Sequence, residues 1–307
     1  MGVREQFAKV QQNVAMRVGQ TNVVYRDLTR IFNATKACDH TNLTDSDLRT
    51  LGITLAAFDL QGKSTGDAKT FFQPLPKSEL PAIDWGRVRF SDWTEGYSHE
   101  PRRVERVLQS VSNRLWCSWL ENSKKQPWVQ RKCYREIPSI ATGEHTPDVP
   151  YEWQTCGEIE AKSFDIPHCS FRVYHYAEPE ESLRRSEVLP IVGYMRWRLS
   201  QFDYICHHTF PVLVVSIFRS KARILQAYHD GQRLHISKSR FVDFREPKRE
   251  NYELFVRWIH GVPCGDTEAP LGIKGEEIDQ VTSELIDDVL HRLFRTSQTS
   301  AAARRAV

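Results

Sequence analysis

Residues 147–164, PDVPYEWQTCGEIEAKSF, decide how the chain is read. Strand side chains point to opposite faces in turn, so Glu158, Glu160 and Lys162 project to one side of 156–164. Ile159 and Ala161 project to the other. Two acids and a lysine on one face of an apolar sheet are costly to bury unless they pair or hold a metal. Asp148 precedes Glu160 by twelve residues. Two carboxylates from neighbouring strands can hold Mg²⁺ or Mn²⁺ through oxygen. Such an ion polarises a scissile phosphate and acidifies a bound water, and a lysine nearby orients that water or offsets charge on the phosphate. The plain alternative is an exposed strand face of alternating charge.

Outward from this stretch, the apolar spacing of Val104, Val107, Leu108, Val111, Leu115 and Leu120 predicts a helix over 101–120. Three strands follow, over 132–140, 149–154 and 156–164. A helix is expected at 189–206, with Ile191, Met195, Leu199, Phe202 and Cys206 at helical spacing. Residues 211–218 (PVLVVSIF) form a continuous apolar run, as expected of a strand covered on both faces. A hairpin around Asp230-Gly231 joins 222–229 to 233–244. Helices over 248–260 and 275–295 close the chain, and its last dozen residues read as a frayed tail. Before the core, 1–18 form a helix, 44–58 begin with helix-capping chemistry and turn apolar, and 59–82 read as linker.

With Pro147-Asp148 opening the second strand and Glu160-x-Lys162 on the third, the chain resembles the PD-(D/E)XK nuclease superfamily. The resemblance covers roughly residues 101–220. It implies an α/β fold with a restriction-endonuclease-like mixed central sheet flanked by helices. That core is placed at 96–262, behind an N-terminal helical extension and linker (1–95) and ahead of a C-terminal helix and tail (263–307). The implied function is metal-dependent hydrolysis of DNA or RNA phosphodiester bonds. Asp148 and Glu160 would hold Mg²⁺ or Mn²⁺, Lys162 would position water, and Glu158 or Glu105 would assist at the metal. The family's second helix carries polar residues facing the site, for which Arg196, Ser200, Gln201 and Asp203 are available. Pro150, just after Asp148, departs from a central strand. The strand and hairpin over 210–260 are also similar to those of a fungal group with this core. A second function stands beside hydrolysis: a catalytically inactive nuclease fold serving as a nucleic-acid-binding or protein-interaction module.

The 42 Lys and Arg against 39 Asp and Glu leave a net charge of only +3, too little to require a polyanionic partner. Local clusters would have to track phosphates, and Arg184-Arg185 and Arg219, Lys221 and Arg223 flank the site elements. Seven cysteines without a CxxC pair argue for reduced thiols rather than a disulfide framework or zinc ribbon. With no signal-peptide pattern and no run of eighteen apolar residues, an intracellular protein, cytoplasmic or nuclear, is expected.

Overall fold

The computed structural model describes residues 3–62, 69–80, 83–88, 101–121, 128–131, 153–161 and 163–305. Before the core come α1 (Val3–Lys36), β1 (Asn42–Leu43), α2 (Asp45–Leu51), β2 (Ile53–Ala57) and β3 (Phe72–Gln73). The core then runs α3 (Pro101–Glu121), β4 (Trp128–Arg131), β5 (Trp153–Ala161), β6 (Cys169–His175), β7 (Leu183–Arg184), α4 (Arg185–Leu199) and β8 (Val212–Phe218). After it follow β9 (Lys221–His229), β10 (Leu234–Lys238), β11 (Val242–Asp243), α5 (Arg249–Ile259), β12 (Val262–Pro263) and α6 (Gln280–Arg305).

The fold is mixed α/β. An eight-stranded sheet runs β2-β10-β9-β8-β6-β5-β4, with β11 alongside β9. β4, β5 and β6 form an antiparallel meander, and β8 returns parallel to β6 after the α4 crossover. β8 to β10 continue antiparallel, and β2 closes the far edge parallel to β10. One face of the sheet packs on α1 and α4 through Leu28, Ile31, Val188, Val192, Phe171 and Val214. The other packs on α3 and α5 through Val104, Leu108, Val111, Phe255, Val215 and Ile217. Every residue of β8 is buried, which is why its sequence shows no alternation. Among the described residues, no helix is long and apolar enough to cross a membrane.

Several elements differ from expectation. Residues 53–57, within the stretch read as extension, are a strand of the central sheet. The pieces 149–154 and 156–164 are not two strands: 153–161 is one, and the next is 169–175. The strand expected at 132–140 lies outside the described residues. α1 runs on to Lys36 rather than ending near residue 18, and its continuation packs on α4. Within α1, Gly19 lets the chain at Glu276 approach closely: a β-carbon there would stand 2.4 Å from the Glu276 carbonyl oxygen. α4 begins before 189, because Glu187 accepts the Arg184 amide and caps the first turn. The last dozen residues do not fray at once, since α6 continues to Arg305.

The core holds histidines kept neutral. His175 stacks on Phe218 and lies between the Ser186 and Ser216 hydroxyls, and His260 bonds Ser112 at 2.6 Å. Burial pushes both down from 6.5 to about 3. Between those values the unfolded chain takes up protons that the folded chain refuses, so stability falls as pH drops below about 6.5. The expected loss is about 1.4 kcal/mol per pH unit for each histidine. Urea unfolding at pH 7 and pH 5 checks this, because few carboxylates titrate in that window. An equal midpoint at both would contradict it.

Candidate functional site

Glu158 and Glu160 face α4 because β5 carries a bulge. Strict alternation from Trp153, which packs on the α4 side, would put Ile159 and Ala161 there too. Instead both belong to the core under α3 and α5. The pairing of β5 with β6 shifts between Cys156 and Ile159, and Gly157 there takes a left-handed φ of 59°. The extra residue reverses the phase of the strand, which brings the two acids under α4. They are 0% and 3% exposed.

α4 answers them with two side chains. Tyr194 Oη donates to Glu158 Oε1. Arg198 Nη2 donates to Glu160 Oε2 at 2.9 Å, and its Nη1 donates to Tyr204 Oη at 2.9 Å. The Arg198 guanidinium also stands 4.4 Å from the Tyr204 ring centre and 5.3 Å from that of Trp197. Four helical residues rise about 6 Å and two strand residues about 6.6 Å, so the Tyr194/Arg198 step matches the Glu158/Glu160 step. Burial holds the Tyr194 phenol well above its ordinary pKa, so it stays a proton donor. Burial works against the Arg198 charge, but the phenols, the Cys169 thiol and Glu160 around it outweigh that and raise its pKa. Sequence reasoning missed both residues, although matched i,i+4 and i,i+2 spacings were a signal for them.

Of the other expected catalytic and metal-binding residues, only Glu105 is described, and it lies elsewhere. Asp148 and Lys162 lie outside the described residues. Glu105 is on α3, across the sheet from the acid pair, where it lies 3.6 Å from Arg172 Nη2. Of the four helix-two residues expected to face the site, none is seen to bond the acids. Arg196 turns to the Tyr25 and Phe32 rings on α1, Ser200 and Gln201 bond the Trp197 carbonyl, and Asp203 is exposed. The segment bearing Glu160 is the middle strand of the described meander rather than its third. The third, β6, carries no acid.

Several residues of two basic clusters are engaged within the fold. Arg223 is fully buried on Glu187. Arg219 pairs with Glu178, and Arg184 and Arg185 bond Thr41 and the Cys38 carbonyl.

A divalent ion of the Mg²⁺ kind needs about six oxygen ligands. Among the described residues, no group of three or more His, Cys, Asp or Glu is placed to hold a metal ion. Glu160, moreover, is already neutralised by Arg198. Asp148, the other expected ligand, lies outside the described residues, and Mg²⁺ commonly completes its shell with water. No family model matches the chain, and no curated protein or solved structure matches it significantly.

Proposed function

We propose that the chain is a restriction-endonuclease-like protein that works by binding, without hydrolysis at Glu160. Its ligand is nucleic acid, the class its resemblance implies. The observation that carries the non-hydrolytic part is the Glu160–Arg198 ion pair, whose side chains are 4% and 3% exposed. Arg198 already occupies Glu160 Oε2, one of the two oxygens that a metal would use. The fold part rests on the element order. A helix, a three-strand meander, a crossover helix and a parallel strand support that reading.

That same order favours a second reading, in which Asp148, Glu160 and Lys162 form a Mg²⁺- or Mn²⁺-dependent nuclease. One incubation separates the two. Mixed DNA and RNA, single- and double-stranded, are offered to the full chain with and without Mg²⁺ or Mn²⁺. The expected result is retarded migration with no shortening of the strands. Metal-dependent cleavage that disappears in a Glu160→Gln chain would establish the nuclease instead. Absence of both retardation and cleavage would count against nucleic acid as the ligand.

A further inference from the structure

We infer that Arg198 is the permanent cation of the β5 acid pair: the chain supplies from α4 the positive charge that a nuclease-type centre would take from solution as a divalent ion. This rests on the non-hydrolytic reading above and adds what replaces the metal. Three observations carry it. The Arg198–Glu160 contact is a close ion pair, 2.9 Å, between side chains 3% and 4% exposed. The guanidinium is enclosed by Tyr204, Trp197 and Tyr194 rings at 4.4, 5.3 and 5.7 Å, which favour a cation and exclude water. It is also fixed at a second point by the Tyr204 hydroxyl. An exposed, mobile arginine could step aside for an ion, whereas this one is built into the last turn of a packed helix. Arg198 thus gives Glu160 its counter-charge within the folded chain, independent of dissolved metal.

The test uses four forms of the full chain: native, Glu160→Gln, Arg198→Met, and both together. Thermal unfolding is followed with and without millimolar Mn²⁺, and bound Mn²⁺ is counted by electron paramagnetic resonance. Each single change leaves one buried charge without its counter-charge and should lower Tm by roughly 6–20 °C. The double change removes both charges and should recover at least half of the larger loss. Should Arg198→Met alone fail to fold, the comparison of Glu160→Gln with the double form decides the point. Native chain should bind no Mn²⁺ that Glu160→Gln removes. Glu160-dependent Mn²⁺ binding by the native chain would overturn this inference and the non-hydrolytic reading together. A double variant at least as unstable as Glu160→Gln would overturn this inference alone.

Discussion

A Glu187→Ala chain is expected not to fold at physiological temperature. Glu187 is wholly buried in the first turn of α4 and holds three elements at once. It accepts the Arg184 amide at 3.0 Å, the Ser216 hydroxyl of β8 at 2.6 Å, and the Arg223 guanidinium of β9 through Nε at 2.8 Å and through Nη2. Burial alone would raise its pKa, but Arg223 outweighs that and holds it below its ordinary value. Arg223 spends its remaining donors on the carbonyls of Glu180, Glu181 and Ser182, at 3.3, 3.1 and 2.9 Å. Removing the carboxylate strands a guanidinium in the interior, at about 3–5 kcal/mol, and deletes a cap contributing about 1 kcal/mol. Total stability is only about 5–15 kcal/mol. Arg223→Lys should not substitute, because an ammonium cannot reproduce a planar five-donor fork. Circular dichroism and soluble yield check the result. A Glu187→Ala chain with native Tm would show that the pair is dispensable.

Gly157→Ala should cost nearly as much, although it adds a single methyl. The left-handed φ there is strained for any residue with a β-carbon, by about 1–2 kcal/mol. That carbon would also stand 1.7 Å from Arg172 Nη2 and 2.3 Å from its Cζ. Arg172 has little freedom to move: it is 2% exposed, bonded to Gln109 and paired with Glu105. Displacing a buried guanidinium adds several kcal/mol, so a total of about 4 kcal/mol or more is expected. Urea unfolding measures it, and a loss under about 1 kcal/mol would contradict the geometry. Because this bulge aims Glu158 and Glu160 at α4, a variant that straightens β5 should also disturb the contact with Arg198.

What the sequence makes legible here is whatever repeats along one element. The run Val212–Phe218, the stripe on α3 and the Asp230-Gly231 turn all declare themselves, the last through a left-handed Gly231. Alternation also places Glu158 and Glu160 on one face. β6 does not declare itself, because CSFRVYH mixes Arg172 and His175 into its core positions, each made tolerable by partners far away in sequence. The bulge hides for a related reason: a glycine between two short patterns reads as a break in the chain, when it is a fold in one strand. The acids' partners, Tyr194 and Arg198, are set by how α4 lies across the sheet. Of the polar residues expected to face the site, Arg196 turns to α1 and Ser200, Gln201 and Asp203 lie past the end of α4.

The sheet's far edge bears on how the protein is made. β2 is among the first strands to leave the ribosome, yet its partner β10 is among the last, and β1 waits in the same way for β7. At about 5–20 residues per second, Ile53–Ala57 spends many seconds with its backbone donors and acceptors unpaired while the rest of the sheet is synthesised. During that time the nascent chain exposes apolar surface on α1 and α2 that only α4 and the finished sheet will cover. Demand for chaperones should therefore persist through translation of the middle of the message and fall only once β10 and then α5 have emerged.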